Sequence, residues 1–195
     1  MMKRLVGCLF LALFVVPRLV AGPAEDADAV LHKTVDAVLA LLDDKTLETD
    51  ARRTKIIDVI DFVFDFELMA KLTLGRKYWP QFSADQQKEF TDLFVKQLRD
   101  TYFEKVDQFS YDRVEYRAPV LKDNKVQVTL DILSKDDKVT TLYKMYQKSG
   151  AWRVYDVEVS SVSIVSSYRS DYQEQLRKGT PADFIETLRA KAGAK

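Results

Sequence analysis

From residue 26 onward the apolar positions recur at helical spacing, then at strand spacing, then at helical spacing again. Asp26 to Asp43 sets Val30, Leu31, Val35, Val38, Leu39 and Leu42 on one stripe, which predicts an amphipathic helix. Asp50 to Phe62 predicts a second helix, with Ile56, Ile57, Val59 and Ile60 crowded into its later half. Asp65 can cap a short third helix that stops at Gly75, because glycine accepts the left-handed backbone of a helix end. Ser83-Ala84-Asp85-Gln86 has the form of a capping box. The helix it opens runs through about Val106, with Phe90, Leu93, Phe94, Gln97, Leu98, Thr101 and Tyr102 on one stripe.

The period then changes to 2. Val114, Tyr116 and Ala118 form one alternating row, and Val126, Val128, Leu130 and Ile132 a second. Val139, Thr141, Tyr143 and Met145 make the inner row of a third strand, and Trp152 to Val159 a fourth. Asp123-Asn124, Asp136-Asp137 and Ser149-Gly150 are turn signals between successive strands. Turns this short join antiparallel neighbours, so the reading is a four-stranded meander with one apolar face. Helix returns near Ser163 and runs to Gly179, after which Thr180 and Pro181 open a last helix as N-cap and first residue. Helices segregated onto one face of an antiparallel sheet define an α+β domain.

The first 22 residues do not belong to that pattern. Lys3 and Arg4 precede an apolar run from Leu5 to Val16, Pro17 ends it, and small residues follow at Ala21, Gly22 and Ala24. This is the layout of a cleavable secretory signal, cut between Ala21 and Ala24. The run is too short to span a bilayer, and no stop-transfer pattern follows it. Residues 1–22 are therefore read as signal peptide and 23–195 as a single domain. Cys8 sits in a lipobox-like Leu5-Val6-Gly7-Cys8, but at the start of the apolar run rather than its end. Cleavage removes this cysteine, so the mature domain has no disulfide and depends on its core. Removing Lys3, Arg4 and Arg18 also leaves 27 of the 30 Lys and Arg against 30 Asp and Glu. An acid-leaning surface argues against a nucleic-acid partner.

Residue supply narrows the chemistry. One histidine, His32, and no mature cysteine cannot build a His/Cys metal site. His32, between Leu31 and Lys33, is read as a surface residue. No phosphate-binding glycine loop and no nucleophile elbow is present, and six glycines leave little for either. Asp156 interrupts the apolar phase of Trp152 and Val154; it is either a general base in a pocket or a structural acid bonded to backbone or to Arg169. Large apolar and aromatic side chains are plentiful around the capping box. They fit a filled core or one held open around an apolar ligand, and periodicity does not separate the two.

Phe64-Asp65-Phe66, Met69-Ala70, Leu74-Gly75 and Trp79, followed by the capping box and the Phe90/Phe94/Leu98/Tyr102 helix, resemble the MlaC family of periplasmic lipid carriers, also called toluene-tolerance auxiliary proteins. Trp152-Arg153-Val154-Tyr155-Asp156, Val162-Ser163-Ile164-Val165 and Tyr168-Arg169-Ser170 continue the likeness through the second half. Ser160-Ser161 departs from it where the family has Glu-Gly. The resemblance implies a four-stranded curved sheet wrapped by helices around an apolar cavity. It implies a cofactor-free, metal-free and non-enzymatic carrier of phospholipid between inner and outer membranes. The partners it implies are an inner-membrane ABC transporter with a ring of substrate-binding domains and an outer-membrane lipoprotein–porin complex.

Inferred facing then sets the expected lipid contacts. From the helices they are Phe66, Met69, Leu72, Phe90, Phe94, Leu98 and Tyr102; from the sheet, Val128, Leu130, Ile132, Tyr143, Met145 and Trp152. Two alternatives remain at this stage. One is a carrier of hopanoid or another apolar lipid. The other is a small isomerase-like enzyme with Asp156 in a pocket and Tyr143 opposite it.

Overall fold

Local chemistry sets the ends of six helices. The computed structural model describes residues 22–107, 111–135 and 137–193, without the side chains of 103–107. The expected signal segment up to residue 21, Phe103, Phe109 and Asp136 lie outside that description. Helix α1 spans Pro23–Asp43, three residues earlier than the spacing predicts, because Pro23 occupies the first turn, where no N–H is needed. Helix α2 is Thr49–Val63 and α3 is Phe66–Tyr78. The Asp65 carboxylate accepts from the Leu68 N–H at 3.0 Å and caps α3 as expected. Gly75 interrupts the helix with φ 68° and ψ −178°, a backbone open essentially to glycine alone. The chain then continues to Tyr78 and a 3₁₀ turn at Trp79–Gln81 instead of ending there. Carbonyls freed near the break are met from elsewhere: Arg169 Nε donates to Leu72 O at 2.8 Å and Gln173 Nε2 to Leu74 O at 3.5 Å.

Helix α4, Ala84–Asp107, carries its capping box in both directions. Gln86 N–H donates to Ser83 Oγ at 3.2 Å, and Ser83 N–H donates to Gln86 Oε1 at 2.9 Å. Helix α5 is Ile164–Leu176, capped by Ser163, and α6 is Pro181–Gly193, opened by Thr180. His32 is not on an open face: it is half-buried, its ring 3.5 Å from that of Tyr116.

The sheet has six strands where four are predicted: β1 Arg113–Tyr116, β2 Val120–Lys122, β3 Lys125–Leu133, β4 Lys138–Lys148, β5 Ala151–Val159 and β6 Val162–Ser163. All pairings between these strands are antiparallel, in the order β1-β3-β4-β5-β6 with β2 also on β3. The predicted first strand is β1, which ends at Tyr116, and the unpredicted β2 follows Pro119, which has no N–H for a ladder, so β1 pairs with one end of β3 and β2 with the other. Strand β6 is added by a two-residue hairpin at Ser160-Ser161, whose φ values of 48° and 68° are those of a type I′ turn. Left-handed backbone costs an L-residue about 1–2 kcal/mol. Ser161→Gly is therefore expected to stabilise the protein by about 0.5–1 kcal/mol, raising Tm by roughly 2–4 °C. Calorimetry showing no gain would place the cost elsewhere in the hairpin.

One irregularity determines what the sheet buries. The register puts Met145 opposite Val154 but Lys144 opposite Asp156, leaving Tyr155 as an extra residue on β5. Before the bulge, Trp152 and Val154 face the helices; after it, Val157 does, paired with Tyr143. Asp156 moves to the other face beside Lys144. Helices α1 and α3 to α6 close the core over the inner face, with Val126, Val128, Met145 and Val154 fully buried.

Asp65 is only 6% exposed and also accepts from Tyr146 Oη and from Lys148 Nζ at 2.9 Å. Burial pushes its carboxyl up, but these bonds and the Leu68 N–H outweigh burial and hold it below the usual carboxylate range. A depressed pKa adds stability above the unfolded value near 4, and that stability is lost as pH falls through the lower folded value. Asp65→Asn is expected to cost about 1–2 kcal/mol at pH 7 in urea unfolding. That gap should shrink on acidification from pH 4 towards pH 2. A gap independent of pH would mean that the charge contributes nothing.

Candidate functional site

Four helices and the sheet leave an apolar cavity of about 200 Å³ between them. Ile56, Ile57 and Ile60 of α2 form one wall at spacings of one and four residues, a single helical face. Phe64 and, from α3, Phe66 and Met69 form the next; from α4 come Leu98 and Tyr102, one turn apart. Tyr143 on β4, Val157 on β5 and Ile164 at the start of α5 complete it. Val157 is there because the bulge at Tyr155 reverses the facing of the strand beyond it. The polar atoms of the lining are the Tyr102 and Tyr143 hydroxyls and, at the rim, Asp61 and Arg99. Burial raises both tyrosine pKa values, that of Tyr143 to about 12. Both hydroxyls stay neutral at any physiological pH, and the interior offers no site for a bare charge.

Beside the rim lies a second, wider recess of about 600 Å³ between α2 and α4. Asp61, Phe66 and Arg99 line both spaces, so the two adjoin across these side chains. Arg99 Nη2 donates to both Asp61 carboxylate oxygens, at 2.5 and 2.7 Å, tying α4 to α2 across the opening. Arg53 and Asp100 make a second, longer contact between the same helices at 3.9 Å.

Of the expected contact residues, the structure brings Phe66, Met69, Leu98, Tyr102 and Tyr143 together around the cavity. Phe90 and Phe94 lie elsewhere. They pack with Phe82, Tyr168, Tyr172 and Phe184 in an aromatic cluster between α4, α5 and α6. Val128, Leu130 and Met145 are fully buried along the inner face of the sheet, and Trp152 nearly so. Ile132 is half-buried towards the β1 end, and Leu72 faces a groove on the far side of α3 beside Trp79. The α2 isoleucines, Phe64, Val157 and Ile164 were not among the expected contacts. The crowding of isoleucines in the later half of α2 was the signal for the first of these.

Asp156 is a structural acid in this arrangement. It is 5% exposed, accepts from Ser163 Oγ at 2.8 Å and from the Val165 N–H at 3.2 Å, and pairs with Lys144 Nζ at 3.0 Å. Its cation is Lys144, not Arg169, which is engaged with the Leu72 carbonyl. The carboxylate fixes the start of α5, favoured by the N–H groups exposed there. Tyr143 and Asp156 lie on opposite faces of the sheet, so the pocket pair required for isomerase-like chemistry is not assembled. Among the described residues, no group of three or more His, Cys, Asp or Glu could hold a metal ion, and no helix is long and apolar enough to cross a membrane.

The chain matches the family model described as MlaC protein over residues 32–190. In fold it is similar to the phospholipid-binding protein from Ralstonia solanacearum, solved in complex with a phospholipid. That likeness has a TM-score of 0.78 at 22% identity and covers 87% of this chain and 98% of the other. No curated protein matches the sequence.

Proposed function

The chain belongs to the MlaC family, and from that premise we propose that it is a carrier that holds a phospholipid by its acyl chains in the cavity beneath α2. The observation that carries this reading is the cavity itself: an apolar chamber bordered by one charged pair, Asp61 and Arg99, with a wider recess beside it. The fold shared with a protein solved with a phospholipid supports it. Release of buried acyl chain into water costs about 0.8 kcal/mol per methylene, so two chains of roughly fifteen methylenes would cost on the order of 24 kcal/mol to expose. Walls of Ile, Phe, Leu and Met replace bilayer contacts with equivalent ones, so transfer in and out runs close to thermoneutral.

The chamber of about 200 Å³ is below the roughly 300–1,000 Å³ of ordinary ligand sites. Loading therefore widens it, and α2 is the wall that moves. Only Ile56 and Val63 of that helix are buried, and it meets α4 through ion pairs rather than a packed apolar seam.

In this reading residues 1–22 are the export signal and 23–195 the lipid-binding domain, working in the periplasm without enzymatic activity. The carrier moves phospholipid between the inner and outer membranes. It exchanges cargo with an inner-membrane ABC transporter bearing a ring of substrate-binding domains and with an outer-membrane lipoprotein–porin complex. The test is to purify the protein natively from an envelope fraction, extract it with organic solvent and identify the extract by mass spectrometry. Stoichiometric phospholipid is expected. Hopanoid in its place would change the cargo, and a blank extract with no uptake from labelled liposomes would overturn the carrier reading.

A further inference from the structure

The recess outside the rim has a charge pattern that the acyl chains do not need. Arg53, Lys96 and Arg99 face Asp61, Asp92 and Asp100 there, three cations against three carboxylates. Lys96 and Arg53 both reach Asp100, at 2.8 and 3.9 Å, and Arg99 reaches Asp61. Two binding capacities are left over. The Asp61 contact uses only Nη2 of Arg99, so Nε and Nη1 have no acceptor among the described residues. Asp92 is exposed and has no cation or donor among them either.

Geometry aligns these two remainders. Asp92 and Arg99 are seven residues apart on α4, two turns on one face and about 10.5 Å along the axis. Helical side chains lean towards the N-terminus, so the long Arg99 side chain closes part of that distance towards Asp92. The Phe66 ring, 5.9 Å from the guanidinium carbon, and the Asp61 carboxylate both hold Arg99 at the edge of the chamber. A guanidinium with two spare donors suits a phosphate, and a lone carboxylate two turns away in the same recess suits an ammonium group.

We infer that this recess is a head-group subsite for amine-bearing zwitterionic phospholipids, with Arg99 taking the phosphate and Asp92 the ammonium. The inference rests on the carrier reading and adds the class of head group. A recess with equal numbers of each charge gives no net attraction to a purely anionic head group. One that leaves an acceptor and donors facing each other favours a head group carrying both charges.

The test uses lipid-stripped protein incubated with vesicles containing equimolar phosphatidylethanolamine, phosphatidylglycerol and diacylglycerol with the same acyl chains. Captured lipid is then counted by mass spectrometry. Wild type is expected to take phosphatidylethanolamine about tenfold over diacylglycerol and about threefold over phosphatidylglycerol. Arg99→Gln should bring both phospholipids down to the diacylglycerol level. Asp92→Asn should erase the difference between the two phospholipids while leaving both above diacylglycerol. Asp61→Asn keeps the guanidinium but leaves the recess one cation in excess, so it should retain both phospholipids above diacylglycerol while narrowing the difference between them. Equal capture of all three lipids by wild type, or unchanged ratios in Arg99→Gln, overturns the subsite and leaves the carrier standing. No capture of any lipid, diacylglycerol included, overturns the carrier and the subsite with it.

Discussion

Leu98→Trp is expected to cut lipid loading at least tenfold while the protein stays folded, a loss of about 1.4 kcal/mol or more in binding. Leu98 is 8% exposed and stands on the α4 wall of the chamber, between Phe94 one turn before it and Tyr102 one turn after. A larger side chain in a filled core forces its neighbours out of place and costs about 1–3 kcal/mol. Here the added volume has somewhere to go. An indole at this position grows into a chamber of about 200 Å³ and takes the space an acyl chain would occupy. The same change at Leu130 has no such outlet, because that side chain is fully buried and does not line the chamber. Uptake of labelled phospholipid from liposomes, read beside circular dichroism and Tm, checks both parts. Normal uptake by a folded Leu98→Trp protein would mean that the tails lie elsewhere.

Phe90→Ala should give the opposite result, a large loss of stability with loading retained in the molecules that stay folded. Phe90 is completely buried, one full turn before Phe94 on α4. Its ring is 5.6 Å from Tyr172, 5.9 Å from both Phe82 and Phe184, and 6.3 Å from Phe94. Removing it takes away contacts to three helices at once and leaves a void that rings on rigid helices cannot collapse to fill. The expected cost is about 3–5 kcal/mol, a large share of the roughly 5–15 kcal/mol that holds a domain together. Urea unfolding measures it. A loss below about 1.5 kcal/mol would show that the cluster repacks. Together the two substitutions separate what α4 does for stability from what it does for binding, although both residues lie on the same apolar stripe.

That stripe shows how far the sequence could be read. Caps were legible because their chemistry is local: Ser83 with Gln86, Asp65 with Leu68, and Thr180 before Pro181 all make the bonds their types and spacings call for. The α+β class was legible because the change of period is sharp. Helical spacing shows which residues face inward but not what they meet there. Phe90, Phe94, Leu98 and Tyr102 share one spacing, yet the first two are packed against rings of α5 and α6 while the last two border open volume. The short strand after Pro119 was not legible, because three residues are too few to show an alternation. Asp156 was misleading for a different reason. Its place in the apolar phase holds only if β5 is regular, and the register slip that moves it is visible only when β4 is laid alongside.

Tyr155 therefore marks where β5 can change in length. Surface turns absorb insertions and deletions because their backbone is not paired on both sides. Deleting Tyr155 would restore a regular ladder with every facing kept, Val154 and Val157 inward and Asp156 beside Lys144, because it removes the residue that has no partner on β4. Deleting its paired neighbour Val157 would instead exchange the faces beyond it and set the Glu158 carboxylate opposite Tyr143, towards the chamber. A length change that the bulge absorbs at Tyr155 would, two residues further on, put a charge into the chamber.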